Sequence, residues 1–472
     1  MLDDYCEEVS AFGKITNQDG ESCDVFINLK YYKYLPDQIE CQVSSAQEEK
    51  LRFLKLFGAA KPRLEIYGFL ESKQKVHIEN IHGYSLEGNI ADLNIESFSL
   101  RYTERIPFDS GYAFIEVSIP EAPSIEVPIC ICLGYLGEIE NKRKDEDAVC
   151  WENEFGEFAI ADFYKYEKGR VGIGEAIYRI KVYQIRIKKK FDHSFFIEEL
   201  IPEIERELED ILWLLSFINR RRIFWYEISI DIVPIDSAKE MIWIPKFIKR
   251  RKIFLPKETK WKDCLIAQPD LAKGGLYRLL EEYKKSSMKS ELRRAIIYTI
   301  ASYERDTIEA QIQSIYLALE VLVNTLSENY NIHDIIPRVS FRALSKQLIE
   351  TILRFLSNEK IEDNNKKSQL IKNISRLNKI PFADRSYSLI KELKIEVLDF
   401  LKEPDELRPK LEEIQTRRNR LIHKGEVKEI DKLYEDLVIL RAISERIILK
   451  LLNWPLDKTF ASVFRSLHSF RD

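Results

Sequence analysis

Between about Phe12 and Lys190 the apolar positions come in short runs rich in Val, Ile, Tyr and Phe: Asp24 to Leu29, Arg63 to Leu70, Lys75 to Ile81, Tyr112 to Ile119, Val127 to Leu133 and Ala176 to Lys188. Gly, Pro, Asn and Asp separate them, the pattern of strands joined by turns. A mostly antiparallel β domain over residues 1–195 follows. From Ile197 to Asn219 the apolar spacing lengthens to that of a helix. Two strand-like runs come next, Arg222 to Val233 and Glu240 to Ile244, and then a basic, Pro-punctuated stretch to Pro269. Residues 196–270 therefore read as an α/β connector or as the second half of the N-terminal domain. Beyond Leu271 almost every segment has a period near 3.6: Leu271 to Lys284, Ser290 to Leu326, Ser340 to Leu356, Ser368 to Asn378, Asp384 to Leu401, Asp405 to Lys424 and Glu429 to Leu452. This predicts a helical domain over residues 271–472. The expected class is α+β, multi-domain, with a β-rich part followed by an all-α part. Ser357 to Gln369, SNEKIEDNNKKSQ, has little to bury and reads as a mobile loop or a plain surface connection.

Composition narrows the field. The 472 residues are 45% hydrophobic and 32% charged, with Gly and Pro at only 16 each, which excludes collagen-like and disordered chains. The net charge of -5 means that any nucleic acid must be held by a local basic surface. No run approaches the ~18 apolar residues of a membrane span, and the opening MLDDYCEEVS has neither the basic nor the apolar region of a secretory leader. Seven scattered cysteines suit reduced thiols. A cytoplasmic protein without membrane attachment is expected.

Familiar catalytic signatures are missing. There is no HExxH, no GxSxG and no GxxxxGK followed by Ser or Thr, so a zincin, a common hydrolase elbow and a P-loop are not expected. GRVGIG, from Gly169 to Gly174, lacks the strand-to-helix context of a phosphate loop and reads as a strand bend or turn. Cys130, Cys132 and Cys150, with His77 or His82, do not have zinc-finger spacing, and buried free thiols are favoured. Neither a metal nor a cofactor is expected. Basic clusters at 188–190, 220–222 and 249–252, flanked by Phe191, Phe224 and Trp225, suit either phosphate contacts or solvated turns, with the turns favoured.

The informative helix is Asp405 to Lys424. At about 100° per residue, Leu407, Leu411, Ile414, Leu421 and Ile422 share one face, and Arg418 falls in the middle of it. A guanidinium there needs an acidic partner, a ligand or an interface. His423 is one turn beyond Asn419, and Gly425 stops the helix. On the preceding long helix, Glu309, Gln313, Glu320 and Asn324 share a stripe that reads as solvated, or as holding Glu320 against Arg418 or Arg441.

The hexapeptide Arg418-Asn419-Arg420-Leu421-Ile422-His423 resembles the R-x4-6-H motif of HEPN ribonucleases. Ile312 to Asn324, IQSIYLALEVLVN, is similar to an early helix of their ApeA-like, anti-phage abortive-infection branch, in which a β-rich domain also precedes the HEPN bundle. The motif resemblance spans roughly Ile296 to Leu452, and the N-terminal part matches only in architecture. It implies a metal-independent endoribonuclease acting on RNA, with tRNA as the family-level candidate, and active as a homodimer or higher homo-oligomer. In this reading Arg418, Asn419 and His423 are catalytic, Glu320 supports them, and Arg417, Arg420 and Lys424 grip RNA. The N-terminal domain would sense a phage-derived trigger or restrain the nuclease. The alternative is a catalytically inactive HEPN module that binds nucleic acid or nucleotide; a third reading is a structural protein in which Arg418 pairs with a core carboxylate.

Overall fold

The computed structural model describes residues 6–33, 35–57, 64–70, 75–101, 111–119, 125–129, 149–171, 174–191, 197–234, 247–253, 264–266, 270–359, 363–374, 377–397, 401, 403–424 and 430–459. The chain divides into two compact units, one comprising 1–212, 223–261 and 268–277, the other 213–222, 262–267 and 278–472.

In the first unit, strict alternation of apolar and polar positions gives strands with one buried face. β1 (Cys6–Asn17), β2 (Ser22–Tyr32), β3 (Leu35–Ser45), β4 (Leu64–Phe69), β5 (Lys75–Glu87) and β6 (Ile90–Arg101) pair in the order β3-β2-β1-β4-β5-β6, and β3 also pairs with β6. This closes a six-stranded antiparallel barrel. Its core holds Ile15, Ile27, Leu29, Val43, Ile66, Ile78 and Ile95, and α1 (Lys50–Phe57) adds Phe53, Leu56 and Phe57 to it. Gly13 of β1 pairs with Gly68 of β4, and a Cβ on Gly13 would sit 2.6 Å from the Gly68 Cα. Only glycine permits that approach.

β6 links the barrel to the rest of the sheet. Its first residues, Ile90–Leu93, pair with β3, while Ser97–Arg101 pair with β13 (Phe247–Arg251). From there the sheet continues through β12 (Glu227–Pro234), β7 (Gly111–Ile119), β11 (Gly174–Phe191), β10 (Glu157–Val171) and β9 (Val149–Glu152), with β8 (Ile125–Ile129) on β11. Residues 227–234 and 247–251 thus supply strands to this sheet. The run Gly169 to Gly174 joins β10 to β11, whose register meets at Val171 and Gly174. Residues 172–173 between them, like Glu240 to Ile244, lie outside the described residues.

β13 lies within the stretch read as basic and Pro-punctuated. Its sequence FIKRR carries three cations, and the fold pairs them: Lys249 and Arg251 with Glu205 at 3.0 and 3.1 Å, Arg250 with Glu227 at 2.7 Å. Arg250 is fully buried between Tyr31 and Tyr226 and donates to the Tyr32 and Lys33 carbonyls. Lys188 and Lys189 likewise pair with Glu157 and Glu203, and Phe191 and Trp225 are buried. These pairings absorb much of the charge the sequence displays there.

α2 (Ile197–Ile218) begins in the first unit and ends in the second. The second unit continues with α3 (Leu276–Lys285), α4 (Lys289–Glu304), α5 (Ile308–Asn329), α6 (Arg338–Asn358), α7 (Asn364–Ile374), α8 (Phe382–Glu392), α9 (Leu407–Lys424) and α10 (Ile430–Leu451). The run Ser290 to Leu326, read as one helix, is two. Thr307 caps α5 by accepting from the Ala310 amide, so the chain breaks at Arg305–Thr307. The stretch expected to be a loop at Ser357 to Gln369 instead contains the start of α7 at Asn364. α10 buries residues on all sides from Asp436 to Leu449 and packs on α5 and α4, as a helix apolar all round must. The layout is an α+β one: a β-rich N-terminal unit followed by an all-helical one. No described helix is long and apolar enough to cross a membrane.

Candidate functional site

α9 is held by Leu407, Leu411, Ile414 and Leu421, which are 1, 2, 1 and 9% exposed. Ile422, expected on the same face, is 41% exposed, because the packed face ends before the last turn. The consecutive arginines on this helix have different fates. Arg417 makes a bidentate pair with Asp436 of α10, Nε to Oδ2 at 2.6 Å and Nη2 to Oδ1 at 2.7 Å, and also meets Glu413 at 3.2 Å. Asp436 is 1% exposed, and its hydrogen bonds push the Arg417 pKa further up. Arg417, expected to grip RNA, is therefore committed to the bundle.

Arg418 has no such partner. Its guanidinium carbon sits 4.6 Å from the centroid of the Tyr316 ring on α5, and Nη1 donates to Oδ1 of Asn419 at 3.2 Å. Its Nε is buried without a hydrogen bond. Among the described residues no carboxylate pairs with it, so the reading of Arg418 as half of a core ion pair is not what the fold provides. Stacking on an aromatic face compensates only part of its desolvation.

Tyr316 is 4% exposed, and burial pushes its hydroxyl pKa well up, opposed by Arg418 and Arg385 and reinforced by Glu320. Glu320, one turn beyond Tyr316, is half-buried. It forms an ion pair with neither Arg418 nor Arg441; its electrostatic neighbours are Tyr316 and Arg385. Of the stripe it belongs to, Gln313 and Asn324 are exposed and Glu309 and Glu320 half-buried, so the solvated reading fits it.

Arg441 is engaged elsewhere. It donates to the Ser302 hydroxyl and carbonyl and to Gln311, and stacks 4.0 Å from the Tyr303 centroid. The Tyr303 hydroxyl donates at 2.6 Å to Glu445, which is 1% exposed and also takes two bonds from Arg220, at 2.9 and 2.8 Å. Arg220, one of the cations in the 220–222 cluster, is thus an internal brace.

Arg420 is exposed. His423 and Lys424 lie in the last turn of α9, but their side chains, like Gly425, are outside the described residues. The backbone places His423 one turn beyond Asn419 and five residues beyond Arg418. A candidate site thus gathers at the junction of α5, α8 and α9, with Tyr316, Glu320, Asn324, Arg385, Arg418 and Asn419. Sequence reasoning missed Tyr316 and Arg385. Tyr316 was legible, one turn before Glu320 within a quoted motif; Arg385 sits inside an ordinary amphipathic helix, with no local signal.

Among the described residues no His, Cys, Asp and Glu cluster could hold a metal. His77 pairs with Glu79 and stacks on Tyr67, His82 pairs with Glu96, and Cys150 is exposed; Cys130 and Cys132 are outside the described residues. No known protein family, characterised protein or solved structure significantly matches the chain.

Proposed function

We propose that the helical unit is a HEPN-type, metal-independent endoribonuclease of the ApeA-like kind, working in anti-phage defence. The observation that carries this reading is the state of Arg418: half-buried, stacked on Tyr316, without a carboxylate among the described residues, on the helix that carries Asn419 and His423. A neighbouring arginine shows what a structural guanidinium looks like here, and Arg418 does not share its arrangement.

In this mechanism neutral His423 takes the proton of a ribose 2′-OH as it attacks the adjacent phosphate, and charged His423 protonates the leaving 5′-oxygen. Arg418 donates to the non-bridging oxygens, where charge grows. Asn419 orients the phosphate or the imidazole. The products are a 2′,3′-cyclic phosphate and a 5′-hydroxyl end. Two chains would bring their Arg418 and His423 together, and the exposed Ile422 offers an apolar edge for that contact. The β-rich unit acts as sensor or restraint, because unrestrained cleavage of cellular RNA would kill the host.

The test compares wild type with His423→Ala, Arg418→Ala and Arg417→Ala during induced expression under phage challenge, mapping 5′-hydroxyl ends on total RNA. His423→Ala and Arg418→Ala should lower such ends about 100-fold or more without moving the melting temperature. Arg417→Ala should lower stability, by about 3 kcal/mol, since it removes both hydrogen bonds to the buried Asp436 and leaves it only Lys410, 3.8 Å away. Identical RNA ends from wild type and His423→Ala would refute the catalytic role and leave a module that binds without cleaving.

A further inference from the structure

Arg385 lies outside the hexapeptide motif, on α8, one turn beyond Phe382, whose ring centroid is 4.9 Å from that of Tyr316, the tyrosine under Arg418. Its Nη1 donates to Oδ1 of Asn324 at 2.8 Å, and its Nε, like that of Arg418, is buried without a partner. Each guanidinium carries five donors and spends one hydrogen bond on a neutral amide oxygen. Among the described residues neither has a carboxylate within ion-pair distance. Among the described residues Glu320 is the carboxylate that acts on this tyrosine, against two cations. Burial, moreover, disfavours the charged form of Arg385, pushing its pKa down. The Tyr316 hydroxyl also makes no hydrogen bond among the described residues.

Two partly desolvated cations and an idle hydroxyl, held by three packed helices, are costly unless an anion completes them. The structural arginines of this chain illustrate the contrast, since Arg417, Arg220 and Arg250 each meet a carboxylate at 2.6 to 2.9 Å. We propose that Arg385, Arg418 and Tyr316 form one phosphate-binding subsite, in which Arg385 is a second arginine on the phosphodiester of a single-stranded RNA. The inference rests on the ribonuclease reading above and adds to it a residue that the motif does not contain.

The test is the binding of a fluorescein-labelled, fully 2′-O-methylated eight-nucleotide RNA to the full chain, followed by anisotropy across a salt series. The probe has phosphates but no attacking hydroxyl, so binding is read whether or not the chain cleaves. Arg385→Ala should weaken binding about tenfold and reduce the log–log salt slope by about 0.7, the value for one lost phosphate contact on a single strand. Arg385→Lys should keep the slope while losing part of the affinity. Inorganic phosphate should compete with the probe for wild type and much less for Arg385→Ala. Arg338→Ala, a surface arginine paired with Asp334 on α6's first turn, serves as the control for removing a charge. Should Arg385→Ala not fold, Arg385→Gln replaces it.

Binding by Arg385→Ala equal to that of Arg338→Ala, or weaker binding with an unchanged slope, would overturn the subsite, as would no binding by wild type. Arg385-dependent binding in a chain that yields no His423-dependent RNA ends would retain the subsite and sink the ribonuclease.

Discussion

Arg220 is a residue in a conformation that glycine prefers. It follows α2 with φ at +51°, and the Arg221 amide reaches back to the Ser216 carbonyl while the Arg220 amide reaches that of Phe217. This is a Schellman motif with Arg at the C′ position. Glycine there would be relieved of roughly 1 kcal/mol of left-handed strain, so by backbone energetics alone Arg220→Gly should stabilise the helical unit. The side chain decides otherwise. It places two hydrogen bonds on Glu445, a carboxylate 1% exposed, whose other partner is the Tyr303 hydroxyl. Leaving a buried carboxylate without its cation costs about 3–5 kcal/mol, so the net expectation for Arg220→Gly is a loss of about 2–4 kcal/mol. Urea unfolding of the full chain, followed by far-UV circular dichroism and tryptophan fluorescence, reads this as a lower midpoint. Adding Glu445→Leu should recover much of the loss, because it removes the stranded charge. A neutral or more stable Arg220→Gly, or strictly additive losses in the double variant, would refute the argument that the ion pair holds the strained backbone.

The β-rich unit offers two further tests. His77 is largely desolvated, which pushes its pKa below the ordinary histidine value despite Glu79 nearby. The unfolded chain then binds the proton more readily, so this contribution to stability rises with pH and is lost as pH falls below about 6.5; His77→Phe should lose less stability than wild type between about pH 7.5 and 5.5, and parallel curves would refute this. Gly13→Val should lower stability by about 3 kcal/mol, because its Cβ meets the Gly68 Cα at 2.6 Å and Ile27 at 2.9 Å. Gly83→Ala, where nothing lies within 4 Å, is the matched control in thermal melts.

What could be read from the chain and what could not divide along physical lines. The alternation in Ser22–Tyr32 and Gly111–Ile119 announces strands because one face is buried and the other is wet. FIKRR at β13 hides its strand, since its cations are neutralised by Glu205 and Glu227 from distant segments. Barrel closure by β3 and β6 joins residues about fifty positions apart, which no local pattern encodes. In the helical unit, the Arg418 anomaly was legible because the apolar stripe surrounds it. Which of Arg417 and Arg418 would find a carboxylate was not legible, because Asp436 lies on the next helix. Arg385 meets Tyr316 only through tertiary packing.

The shared strand β6 also sets a timetable for synthesis. The barrel strands are complete once residue 101 has been made, yet their neighbours in the continuing sheet, β13 and β12, end at residue 251. At ~5–20 residues per second the ribosome needs on the order of ten seconds to bridge that interval. Throughout it one edge of the outer half of β6, and until residue 234 one edge of β7, present unpaired backbone in the nascent chain, an invitation to pairing with other chains. β12 covers the β7 edge, and the later arrival of the short, heavily charged β13 joins β12 to β6, which gives the cations of FIKRR a second use: they discourage that strand from joining a foreign sheet before its own is ready.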